Sequence, residues 1–297
     1  MRSVVICLLL SLTGAMAAPL SVQLRCDHDS YLVYEAIPVV VNLHNYTGRT
    51  IQIDDTDQKS SLDFVVTDES GQMIHGFGRP AFGQPVIIPS GQTVSQTINL
   101  LPLYELRERG TYRIQAVVRS EAGTVESLPV RITLINGREL WSQMVGLPVT
   151  EGGPQQYRTF ALVAGRAGRE DSLYVSVRDD THSIVYSLVP LGSFLSTIQP
   201  QARVDRSGNL HVLFQNGPRS SGYVQIDPFA RPVARAAYSD FMSSPTLTIS
   251  EGEVSVTGGE QTYPKVERIM TDRELNPPPP PPPPKPKRRW WWPFGPR

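Results

Sequence analysis

Between Leu20 and Asn136 apolar and polar residues alternate in short runs. Leu20, Val22 and Leu24 are separated by polar residues, Tyr112, Ile114, Ala116 and Val118 keep one parity, and so do Val130, Ile132 and Leu134. A period of two marks strands that turn one face to a core. Ile37 to Asn45, Thr50 to Ile53, Leu62 to Thr67, Val86 to Ile88 and the stretch through Val94, Thr97 and Ile98 add further β-branched runs. Turn residues at Asn45 to Gly48, Glu69-Ser70-Gly71, Ser90-Gly91 and Gly110 punctuate them about every ten residues, the rhythm of a β-sandwich. Leu100 to Arg109 is expected to form one helical turn crossing between sheets.

The pattern changes from Trp141 to Tyr263. Leu173-Tyr174-Val175-Ser176-Val177 has a counterpart in Leu210-His211-Val212-Leu213-Phe214 and a third in Glu253-Val254-Ser255-Val256. Each follows a polar turn (Gly168 to Asp171, Asp205 to Asn209, Ser250 to Gly252), and each turn follows an apolar stretch (Phe160 to Val163, Ala202 to Val204, Thr246 to Ile249). The period, roughly 37 to 45 residues, lies in the range of β-propeller blades. Asp205 is placed to cap its turn and Gly208 to take a positive φ. About two and a half repeats are too few for a closed propeller. The region is therefore expected to be an open stack of blade-like sheets, a second sandwich, or a part completed by oligomerisation.

Two further stretches carry a resemblance. Ser21 to Asn42, with Asp29-Ser30-Tyr31, Tyr34-Glu35 and the run from Pro38 to Asn45, resembles the opening of bacterial Ig-like domains. It is similar to macroglobulin-type modules and to the small sandwiches of secreted proteinase inhibitors. Leu103-Tyr104-Glu105-Leu106 followed by Gly110-Thr111-Tyr112-Arg113-Ile114 resembles their penultimate strand. The resemblance implies an Ig-like sandwich in which the Tyr112 hydroxyl returns to the backbone as a tyrosine corner. Val204 to Val212 resembles the inner hairpin of propeller repeats.

Composition sets the compartment and narrows the partners. Lys and Arg number 28, Asp and Glu 28, so the formal net charge is +0 and an electrostatic partner must be met by a local patch. Arg2, the apolar run Val4 to Leu12 and Ala15-Met16-Ala17 follow the order of a secretory signal peptide, with cleavage after Ala17 or Ala18. The protein is expected to be exported: periplasmic, envelope-associated or secreted. Cys7 falls within that signal, which leaves Cys26 as the one cysteine of the mature chain and rules out an intrachain disulfide. Asn45-Tyr46-Thr47 matches a glycosylation sequon, relevant in a eukaryotic secretory pathway.

The C-terminal end is built differently. Thr262 to Asn276 reads as a polar connector and Pro277 to Pro284 as an unbroken proline run. Proline fixes φ and lacks a donor, so the run is expected in polyproline II, about 25 Å long at about 3.1 Å per residue. Beyond it, Lys285 to Arg297 holds five cations and four aromatic rings. Indole rings favour the membrane–water interface, and adjacent cations are attracted to anionic lipid at about 1 kcal/mol each. Lys285, Lys287, Arg288, Arg289, Trp290, Trp291, Trp292 and Phe294 are the expected surface-binding residues. Their target would be an anionic membrane surface, lipopolysaccharide or cell wall, with a protein partner of the proline run as the alternative and no nucleic acid. The tip resembles tryptophan-rich cathelicidin peptides, although no proline precedes its triplet and one arginine follows it.

No catalytic pattern stands out. The histidines (His28, His44, His75, His182, His211) form no i, i+4 pair, and neither a G-x-S-x-G elbow nor a Walker A lysine occurs. Gly165-Arg166-Ala167-Gly168 reads as a loop, and Asp54-Asp55-Thr56-Asp57 as a turn of capping aspartates. The expected fold is all-β. A signal peptide (1–17) precedes an Ig-like sandwich (20–136) and a blade-like β-repeat domain (141–263). A linker and polyproline rod (264–284) then lead to the basic tip (285–297), as a disordered Pro-rich tail. The expected role is non-enzymatic, without cofactor or metal: binding or scaffolding β domains with a tip that contacts an anionic surface. A secreted proteinase inhibitor, or a hydrolase with its site on the second domain's loops, are the alternatives.

Overall fold

The structure, a computed structural model, describes residues 20–54, 60–121, 123–147, 155–167, 170–179 and 185–268. The described residues contain strands and turns and no helix. Leu100 to Arg109 accordingly contributes a hydrogen-bonded turn, Tyr104 N–H to Leu100 C=O at 3.1 Å, and continues without helix.

The first unit contains β1 (Leu20–Cys26), β2 (Ser30–Leu32), β3 (Pro38–Asn45), β4 (Ile51–Ile53), β5 (Ser61–Thr67), β6 (Val86–Ile88), β7 (Thr93–Asn99), β8 (Gly110–Ser120), β9 (Gly123–Glu126) and β10 (Val130–Ile135). One sheet has the order β1-β3-β7. The other has the order β2-β10-β8-β5, with β9 also on β8, and β4 and β6 form a short ladder. The alternation read from sequence sets which side chains meet. Val39, Val41 and Leu43 of β3 join Leu62, Phe64 and Val66 of β5 and Ile114, Ala116 and Val118 of β8 in one core. Each fully buried Val, Leu, Ile or Phe contributes about 1.5–3 kcal/mol over an exposed one. At the corner before β8, Tyr112 donates its hydroxyl to Glu108 C=O at 2.8 Å, as a tyrosine corner requires. Tyr104 makes a comparable bond to Phe64 C=O at 2.6 Å, with no sequence signal to announce it.

The second unit begins at β11 (Arg138–Gly146), followed by β12 (Tyr157–Ala167), β13 (Glu170–Asp179) and β14 (Val185–Ser193), a four-stranded antiparallel meander. β15 (Gln201–Val204), β16 (Leu210–Gly217), β17 (Ser220–Ile226) and β18 (Pro232–Ser239) form the next meander. β19 (Thr246–Ser250) and β20 (Glu253–Thr257) make a hairpin, and β21 (Glu260–Arg268) returns to pair with β18. Residues 262–268 of the polar connector are thus the body of a strand.

The three sequence repeats map onto β12–β13, β15–β16 and β19–β20, each an antiparallel hairpin. Leu173, Val175 and Val177 of the first repeat and Leu210, Val212 and Phe214 of the second point into the same core. The first two repeats therefore meet through equivalent faces, as the halves of a sandwich do. Propeller blades pack front to back, and the described residues form no ring of sheets. The hairpin covers the opposite face of the second meander, where Leu247, Val254 and Val256 pack on Leu213, Tyr223 and Ala236.

The two units touch at a defined joint. Leu32, at the end of β2, packs with Tyr174 and Leu188 on the outer face of the first meander. It fits because positions 137 and 165 are glycine. A Cβ built on Gly165 would lie 2.5 Å from a Leu32 methyl, and one on Gly137 would meet both Val163 and Leu32. Gly165 and its neighbours belong to β12, so the expected loop is a strand whose missing side chain admits a knob. Overpacking costs about 1–3 kcal/mol. Gly165→Ala is therefore expected to lower stability by about 2 kcal/mol in urea unfolding. In a Leu32→Ala background its cost should fall below about 1 kcal/mol; equal costs in both backgrounds would contradict the knob.

Candidate functional site

The expected surface-binding residues Lys285, Lys287, Arg288, Arg289, Trp290, Trp291, Trp292 and Phe294 lie outside the described residues, as do the expected signal peptide and the proline run. His182, Asp55, Thr56 and Asp57 do as well. What the structure does bring together are four features of the β units.

One buried polar cluster is Asp205–His211–Tyr223. The carboxylate of Asp205 accepts the N–H groups of Ser207 (2.9 Å) and Asn209 (2.8 Å) and the side-chain amide of Asn209 (2.9 Å). It also lies 3.0 Å from His211 Nε2, and His211 Nδ1 is 2.7 Å from the Tyr223 hydroxyl. A neutral ring carrying its proton on Nε2 satisfies every group: the imidazole donates to Asp205 and accepts from Tyr223. Burial acts to raise the Asp205 pKa, but the bonds from His211 and Asn209 outweigh it and hold the carboxyl below 3.8. Burial, with the charge of Asp205 contributing, pushes the Tyr223 phenol up to about 12. Both ring nitrogens are spoken for and the ring is buried. The geometry serves to lock the β15–β16 turn onto β17.

The second feature is the joint. Glu35 accepts Leu32 N–H at 2.7 Å and the Tyr174 hydroxyl at 2.9 Å, tying the tip of one unit to the other. Tyr34, at the turn, has a φ of 71°, a left-handed conformation uncommon outside glycine. Burial pushes the Glu35 carboxyl above 4.5, against the lowering effect of its two donors and of His28. A folded pKa raised in this way contributes stability below 4.5 and loses it as pH rises through the folded value. The same burial raises the Tyr174 phenol, helped by the Glu35 charge. A cleft of about 310 Å³ opens beside the joint, with Arg178 paired to Glu139 at 2.9 Å on its wall.

A groove of about 1010 Å³ runs along the open side of the first sandwich, between β1 and the β9–β10 edge. Leu24, Val125, Leu128 and Val130 line it. Cys26, at the end of β1, is a half-buried free thiol. Desolvation first, and the charge of Asp27 second, push it up to about 11, so it is protonated and unreactive near neutral pH. Asn45, the residue of the sequon, is buried and fully engaged, which closes it to modification in the folded state.

The last feature is the loop between β17 and β18. Asp227 accepts the N–H groups of Phe229 and Arg231, both at 2.8 Å, and holds the Phe229 ring outward. Among the described residues no three His, Cys, Asp or Glu side chains gather as metal ligands would.

The chain matches no protein-family model, and no curated protein matches it. Among solved structures, the sporulation control protein Spo0M from Bacillus subtilis is similar over 56% of this chain and 82% of its own, at 12% identity and a TM-score of 0.29. A likeness that loose leaves the reading to the residues themselves.

Proposed function

We propose that this is an exported, non-enzymatic envelope or secreted protein whose β units bind or scaffold while the tip fastens them to an anionic surface. The observation that carries the reading is the segment Lys285 to Arg297, five cations and four aromatic rings set behind eight consecutive prolines. A proline run resists coiling back and holds a tip away from the body that bears it. Cations gather at anionic lipid headgroups and indoles settle at their level. The export signature at residues 1–17 supports the compartment. In this reading the first sandwich is an Ig-like module, which the Tyr112 corner supports, and the two units ride as one body on the Leu32 joint.

Fractionation of producing cells tests the proposal. The full chain should sediment with the envelope, and a chain ending at Pro284 should move to the soluble exported fraction. Unchanged partitioning of the shortened chain would overturn the tether.

A further inference from the structure

We propose that the Asp227–Arg231 loop is a second, preformed contact with the same anionic bilayer, seated by Phe229; the inference rests on the tether reading and names where the folded body meets the surface. The loop is ordered before any contact. Asp227 Oδ1 accepts two backbone N–H groups, Asp227 N–H donates to Arg231 C=O at 2.9 Å, and Ala230 takes a φ of 64° to close the turn. The loop backbone is thus ordered in advance, which lowers the entropy lost on binding. The side chain it presents is 55% exposed, and the guanidinium of exposed Arg231 lies 6.0 Å from the ring centroid; that of Arg158 is equally close but buried, donating to Tyr157 C=O and Gln156 Oε1. An exposed apolar ring beside an exposed cation matches the headgroup layer: the ring enters the boundary with the acyl chains while the Arg231 guanidinium meets a phosphate.

The direction of the chain decides for this end of the sheet. Phe241 at the other end is also exposed, at 70%, with Arg219 at 5.3 Å. β21 starts beside that other end, where Glu260 pairs with Ser239, and runs away from it until Arg268 pairs with Ala234, three residues past Arg231. The described end of β21, at Arg268, is therefore at the end of the sheet that carries the Phe229 loop. A tip held at a bilayer draws this end toward the lipid, and Phe241 becomes a built-in control.

The test is flotation of the full chain with phosphatidylcholine vesicles containing one quarter phosphatidylglycerol, and with pure phosphatidylcholine. Phe229→Ala should weaken binding to the anionic vesicles about fivefold, as expected for losing part of one aromatic burial. Phe229→Trp should bind at least as tightly, and Phe241→Ala as the unmodified chain does. The chain ending at Pro284 should bind more weakly still, and Phe229→Ala in that background should remove the remainder. Unchanged binding of Phe229→Ala, or equal losses for Phe229→Ala and Phe241→Ala, would overturn the loop's role and leave the tether standing. Full binding by the chain ending at Pro284 would overturn the tether itself, whatever Phe229 does. Loss of a protein partner with unchanged flotation would assign the loop to protein recognition and refute the lipid contact.

Discussion

Replacing Asp205 by alanine is expected to cost the second unit about 3 kcal/mol, the size associated with breaking a buried, hydrogen-bonded pair. Four donors lose their acceptor: the N–H groups of Ser207 and Asn209, the Asn209 amide and His211 Nε2. The loop donors can turn to water. His211 is buried in a strand and cannot. Asn at the same position discriminates the terms. Its oxygen still serves the Ser207 and Asn209 N–H groups, but its amide would face two donors, His211 Nε2 and the Asn209 amide, which can turn to water. The ring can answer by moving its proton to Nδ1, with the Tyr223 hydroxyl becoming the acceptor, so Asp205→Asn should cost about 1–2 kcal/mol. Because the folded pKa of Asp205 lies below 3.8, its contribution is complete above that value and drains away as pH falls through the folded pKa. Urea unfolding at neutral pH measures both variants as midpoint shifts at unchanged slope. A loss under 1 kcal/mol for alanine would mean that the network carries no stability.

Asn45→Ala should damage the first sandwich comparably, by about 2–4 kcal/mol. Asn45 Nδ2 donates to Arg49 C=O (2.6 Å) and Ile88 C=O (2.8 Å), while its oxygen accepts the Thr47 N–H (2.9 Å) and hydroxyl (2.7 Å). One side chain thereby joins the end of β3, the turn after it and β6. Asn45→Asp sharpens the point, because a carboxylate would face two carbonyl oxygens with no proton to offer. Its folded pKa would rise, so the variant should be closer to wild type near pH 4 than at pH 7. Equal costs at both pH values would show that the two carbonyls are not what the amide satisfies.

Much of the β architecture was legible because alternation and burial are the same fact seen twice. The run from Pro38 to Asn45 buries every second side chain in the order its sequence implies. Tyr112 announced its corner through the Gly110-Thr111-Tyr112 context. The three-residue β2 is too short for a period to emerge, and its parallel pairing with β10 leaves no turn signal. The repeats of the second unit were visible, but a period cannot say which face meets which. That was decided by Leu173, Val175 and Val177 sharing a core with Leu210, Val212 and Phe214.

The polar constellations were less visible. His211 read as a strand residue, and its partners lie at the turn before it and on the next strand, a distance set by the hairpin rather than by any motif. Gly165 looked like loop punctuation because the reason for it, Leu32, is far away in sequence. Phe229 followed Asp227-Pro228, a plain turn signal, and the outward pose of its ring belongs to the Asp227 hydrogen bonds.

The central claim is that Lys285 to Arg297 holds this protein at an anionic surface. Vesicle co-sedimentation across a salt series, comparing the full chain with one ending at Pro284, tests it most directly. The account predicts that the full chain binds anionic vesicles and is progressively released as salt screens the cations, while the shortened chain binds at least tenfold more weakly. Equal binding of the two chains at every salt concentration would contradict it.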